Sequence, residues 1–123
     1  MNKNDVIKKL FTIEKQFGLV EAIYRVFGKN IRINIGFSKS VCDFSIDELS
    51  LSVRSYNALR RANVITLGDL IELLNEDKLK NIRNLGTKSF SEIKTKLLVF
   101  GFERLSPKEK DEFFCYLAEN NAA

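Results

Sequence analysis

Two cations in this sequence stand where helix physics disfavours them. Acidic residues in the first turn of a helix are favourable and basic ones are not, by about 0.3–1 kcal/mol each. Arg54 falls in the first turn of a helix expected over roughly Val53 to Ala62, and Lys88 in that of a helix expected from about Thr87 to Phe100. The unpaired N–H groups at a helix start favour an anion, and an added cation strengthens that preference. Breaches of a local rule tend to mark functional sites; the alternative is that both side chains extend into solvent at little cost. The tight turn Arg83-Asn84-Leu85-Gly86 followed by Thr87-Lys88-Ser89 has the form of a helix-hairpin-helix. In that arrangement Gly86 lets a phosphate approach the backbone, with a positive φ expected at the turn, while Lys88 and Ser89 contact the phosphate from the side. An interhelical turn with no ligand can contain the same Leu-Gly pair.

Other chemistries are excluded by composition. The chain has no histidine, which removes Ser-His-Asp and Cys-His catalysis and every His-based metal site. Cys42 and Cys115 form no C-x-x-C pair, so no thiolate zinc site is expected and both read as reduced thiols. Acid pairs such as Glu76-Asp77 sit where a helix start would want them. The expectation is a protein that is not an enzyme and carries no metal or cofactor.

The elements that would position Arg54 and Lys88 are short capped helices. Ser52 precedes the first. Thr66 caps the second, with Asp69 completing a capping box and Leu67, Leu70, Ile71 and Leu74 facing inward. Asn75 is read as the cap of a third, one to two turns long, with Glu76 and Asp77 at its positive end and Leu79 and Ile82 inward. The long fourth helix carries Phe90, Ile93, Leu97 and Phe100 on one stripe, with Gly101 expected to stop it and Phe102 to pack beside the stop. Ser106-Pro107-Lys108-Glu109 is a second capping box and opens a last helix with Phe113, Phe114 and Leu117.

Upstream, Val6, Ile7, Leu10, Phe11, Ile13 and Phe17 recur at helical spacing up to Gly18, and Leu19 to Phe27 offers a second helix ended by Gly28. Ile31, Ile33, Ile35 and Phe37 then alternate with polar or small residues as in a strand, and Ser38 to Asp43 reads as a connector. A lone strand leaves backbone groups unpaired, so pairing of residues 31–37 from two chains in a homodimer is expected, against pairing with another protein or an irregular packed segment.

With 123 residues, 45% apolar and 29% charged, the chain suits one ordinary domain or a small domain with an appendage. Its net charge of +4 and pI near 9.1 are compatible with nucleic acid without requiring it. The excess is uneven: +4 over residues 1–44, +2 over 45–105 and -2 over 106–123. No run of 18 apolar residues exists and the N-terminus lacks the apolar core of a signal peptide, so no membrane contact and a cytoplasmic, nucleoid-associated location are expected.

Ser45-Ile46-Asp47-Glu48-Leu49-Ser50-Leu51-Ser52-Val53-Arg54-Ser55-Tyr56-Asn57-Ala58-Leu59 closely resembles the opening of the C-terminal domain of the bacterial RNA polymerase alpha subunit. Gly68-Asp69-Leu70, Asn84-Leu85-Gly86-Thr87-Lys88-Ser89 and Glu92-Ile93-Lys94 look like its later signatures, in the same order. The resemblance covers about residues 45–105. It implies a compact four-to-five-helix domain with a helix-hairpin-helix over residues 45–105; periodicity adds residues 1–44 as a small helical extension with one possible strand and residues 106–123 as an amphipathic helix, so the fold expected of the whole is mainly α. The resemblance also implies binding to the minor groove of AT-rich promoter DNA and contact with activators, sigma factor or RNA polymerase. Position by position, Arg54 matches the family's groove-reaching arginine, Asn57 its neighbouring asparagine, Gly86, Lys88 and Ser89 its backbone-contacting set and Glu92 its supporting acid. Thr87 stands where the family usually has a lysine, and Ser50 where it has an acid used for sigma contact. The resemblance does not extend to the polymerase's assembly domain, so a free-standing relative is expected. A module that keeps the fold for protein contacts alone is the alternative function.

Overall fold

The computed structural model describes residues 2–28 and 37–121, and the chain divides into two units, Asn34–Gly101 and the pair of segments Met1–Ile33 and Phe102–Ala123. Both are helical. No strand occurs among the described residues, where the one extended pairing is an isolated antiparallel bridge between Ser45 and Thr66. Residues 31–36, on which the expected strand and homodimer rest, lie outside the described residues.

The central unit begins where a connector was expected. Ser38 instead starts a one-turn helix, α3 (Lys39–Cys42), following α1 (Lys3–Phe17) and α2 (Leu19–Phe27) of the other unit. The Ser38 carbonyl accepts from the N–H groups of Val41 and Cys42, and Val41 is buried. A 3-10 turn (Ile46–Leu49) follows, then α4 (Val53–Arg61), α5 (Leu67–Asn75), a second 3-10 turn (Leu79–Asn81) and α6 (Thr87–Glu103). Ile46, Leu59, Leu67, Leu70, Leu79, Ile93 and Leu97 are each fully excluded from solvent and form the core. The Thr66–Asp69 capping box is present, and Phe44 meets Phe100 edge-on at 5.3 Å.

Two expectations in this unit are corrected, and the conformation of the hairpin turn is located. Asn75 does not cap a third helix; it is the last residue of α5, and Asp77 adopts φ 59° just beyond. Asp77 N–H bonds Leu74 O and Lys78 N–H bonds Leu73 O, the paired bonds of a left-handed helix stop. Glu76 and Asp77 therefore close a helix rather than open one. Gly101 does not stop α6, which continues to Glu103. A Cβ at Gly101 would overlap the Phe37 ring, so this glycine makes room for an aromatic side chain. The positive φ of the hairpin turn belongs to Asn84 (68°), while Gly86 lies outside the left-handed region.

In the terminal unit, α1 is capped by the Asn2 side chain on Asp5 N–H and ends at Gly18, whose φ of 92° turns the backbone directly into α2. The helix α7 (Pro107–Asn121) opens with Ser106 and Glu109 bonding each other's backbone N–H groups, as expected. Phe114 is fully buried, with Phe11 edge-on at 4.6 Å and Phe102 stacked at 5.3 Å. Lys3 pairs with Glu119. The N- and C-terminal segments thus share one core. Cys42 and Cys115 are free thiols, both half-buried.

Candidate functional site

The start of α4 is built on Ser52. Its backbone is extended (φ -60°, ψ 155°) and its hydroxyl accepts weakly from Ser55 N–H at 3.3 Å. Arg54 is the second helical residue, and Asn57, three residues on, shares its face. Both are exposed, and among the described residues neither has a hydrogen bond or ion pair.

The start of α6 is left open. Phe90 N–H bonds Gly86 O at 3.0 Å, which makes Gly86 the cap residue, one without a side chain to satisfy the next N–H groups. Those of Thr87, Lys88 and Ser89 have no hydrogen bond among the described residues. A Cβ at Gly86 would meet nothing within 4 Å, so the approach to these donors is clear. Gly86 and Lys88 are exposed, whereas Ser89 is 8% exposed, so its hydroxyl is less open than the sequence suggests.

Glu92 joins the two starts. From α6 its carboxylate accepts from Ser52 N–H at 2.8 Å, Ser52 Oγ at 2.9 Å and Ser55 Oγ at 2.5 Å. Ser55 is fully buried, so its hydroxyl depends on this acceptor. Lys96, one turn along, donates to Glu92 at 3.2 Å and to the Ser50 carbonyl at 2.5 Å. The Ser55 hydroxyl first, then Ser52 and Lys96, hold the carboxyl of Glu92 down to about 2, against the opposing effect of burial. An anion here is stabilised by neutral donors and one ammonium, while Arg54 and Lys88 remain uncompensated.

Of the six residues named from the sequence, Arg54, Gly86, Lys88 and Ser89 belong to the starts of α4 and α6 and Glu92 is the carboxylate between them, while Asn57 lies in the middle of α4 on the face of Arg54. Ser52, Ser55 and Lys96, which complete the fastening, were not singled out. Two signals could have found them: a serine at a helix position otherwise reserved for apolar residues, and the i, i+4 pair Glu92–Lys96. Among the described residues no cluster of acids or cysteines could hold a metal, and no helix is long and apolar enough to cross a membrane.

Residues 37–98 match the family model for the C-terminal domain of the bacterial RNA polymerase alpha subunit. The protein is 46% identical over 67 residues to the DNA-directed RNA polymerase subunit alpha of Symbiobacterium thermophilum, covering 54% of its own length and 21% of that relative. It is 48% identical over 67 residues to the subunit of Moorella thermoacetica, with the same coverage. With that of Rubrobacter xylanophilus it shares 48% over 64 residues, 52% of its own length and 20% of the other. The match therefore spans about a fifth of the length of these curated relatives. No solved structure matches it significantly.

Proposed function

Because the protein belongs to the family of C-terminal domains of the bacterial RNA polymerase alpha subunit, we propose that it is a non-enzymatic DNA-binding protein of transcription, acting in the bacterial cytoplasm. It binds the minor groove of AT-rich promoter DNA, alone or beside RNA polymerase, sigma factor or an activator. Arg54 enters the groove, where a narrow A·T tract concentrates negative potential. Asn57 contacts the duplex beside it. Gly86, Lys88 and the backbone at Ser89 take a phosphate at the start of α6, and Glu92 keeps the two helix starts in register. The observation that carries this reading is the Glu92 carboxylate, which bonds the cap of α4 from the first turns of α6.

The test is binding of a fluorescent AT-rich duplex across a salt series. Wild type should bind weakly, with affinity falling steeply as salt rises, and Arg54→Ala should lose the preference for AT-rich over GC-rich duplex. Binding unaffected by Arg54→Ala would refute the assignment. A second reading, a module for protein contacts alone, draws on the exposed Phe17, Val20 and Tyr24 of the terminal unit and on Thr87 in place of a cation. It predicts no salt-dependent duplex binding at all.

A further inference from the structure

The helix that carries Arg54 and Asn57 is strongly basic. Over Val53–Arg61 it has Arg54, Arg60 and Arg61 and no acid. The two arginines of its last turn differ in their surroundings. Arg60 has its guanidinium 6.0 Å from the centre of the Tyr56 ring, on a face turned well away from Arg54. Arg61 is exposed and, among the described residues, has no ion pair, hydrogen bond or aromatic partner.

Spacing places Arg61 with the proposed site. Arg54, Asn57 and Arg61 stand at i, i+3 and i+7, which puts all three on one stripe of the helix. Seven residues advance the stripe by about 10 Å. The minor groove is about 6 Å wide. With Arg54 in the groove and α4 lying across it, that advance carries Arg61 to the sugar-phosphate ridge that borders it.

We propose that Arg61 is a further DNA-binding residue, one that contacts a backbone phosphate and adds affinity without adding sequence preference. The inference rests on the minor-groove reading above. A phosphate contact needs only a cation at the ridge, so Arg61→Lys should preserve it and Arg61→Ala should remove it. A merely structural role, a cation favouring the C-terminal end of α4, would alter unfolding and leave the salt dependence of binding unchanged.

The experiment measures affinity for AT-rich and GC-rich duplexes between 50 and 200 mM salt for wild type, Arg54→Ala, Arg61→Ala and Arg61→Lys, with thermal unfolding of each. Arg61→Ala should lower the slope of log affinity against log salt by about 0.9, so that the fourfold rise in salt weakens wild type about three- to fourfold more than the variant. Its ratio of AT-rich to GC-rich affinity should stay that of wild type, and Arg61→Lys should restore the slope. An unchanged slope in Arg61→Ala, with Arg54→Ala still losing AT preference, overturns the inference and spares the reading beneath it. No effect from either alanine overturns both.

Discussion

The fastening by Glu92 makes a quantitative claim about acid stability. A glutamate ordinarily titrates at 4.5, and in the folded protein Glu92 is held at about 2, chiefly by the Ser55 hydroxyl. At about 1.4 kcal/mol per pH unit the gap corresponds to about 3 kcal/mol of folding free energy. Because the folded value is depressed, this contribution is fully present above pH 4.5 and is lost as pH falls towards 2. The side chain is 23% exposed, so water screens these contacts only in part. Glu92→Gln removes the charge and turns an amide donor towards donors on Ser52 and Ser55. The variant should lose about 2–3 kcal/mol at pH 7. The difference between the two proteins should then contract by about 2 kcal/mol between pH 5 and pH 3. Urea denaturation at stepped pH, followed by circular dichroism and tyrosine fluorescence, measures both. Asp69 and Glu109 are also lowered, by N–H groups of Thr66 and Ser106 first, and they add acid sensitivity to both proteins equally. Parallel pH dependence in wild type and Glu92→Gln would refute the carboxylate's role.

Three further outcomes follow from backbone and packing. Gly86→Ala should leave unfolding within about 1 kcal/mol of wild type, since its Cβ meets nothing within 4 Å, yet should weaken duplex binding by crowding the donors of α6. Equal losses of stability and binding would contradict this. Asp77→Gly should raise stability by about 0.5–1 kcal/mol in urea melts, because Asp77 holds φ 59° at the end of α5, where glycine meets no steric penalty, and its exposed pair with Lys80 contributes little. Gly101→Ala should destabilise the protein despite the helix-propensity gain of about 1 kcal/mol that alanine brings, and Phe37→Ala in the same background should abolish that penalty in a double-mutant cycle.

Helix starts were legible because their signals are local. Ser52, Thr66 and Ser106 each bond an N–H three residues on, and a side chain placed there does so whatever surrounds it. Helix ends were less so. Glycine at a stop and glycine under an aromatic ring look the same in sequence, and Gly18 is the first case while Gly101 is the second. Asp77 took a left-handed stop that glycine usually occupies, which left α5 looking as though it ended sooner.

The sequence by itself determined the helix starts at Ser52, Thr66 and Ser106, the surplus cations at Arg54 and Lys88 and the family signatures of residues 45–105. These depend on spacings of three and four residues, which the polypeptide keeps wherever it folds. Only the tertiary structure decided that the start of α6 is fastened to the cap of α4. Ser52 and Glu92 are 40 residues apart, and no local rule relates them. It alone also decided that α1, α2 and α7 share one core, where Phe11 meets Phe114 from the opposite end of the sequence. Burial selects such pairs by shape and by the need to partner every buried donor, and both are properties of the assembled core.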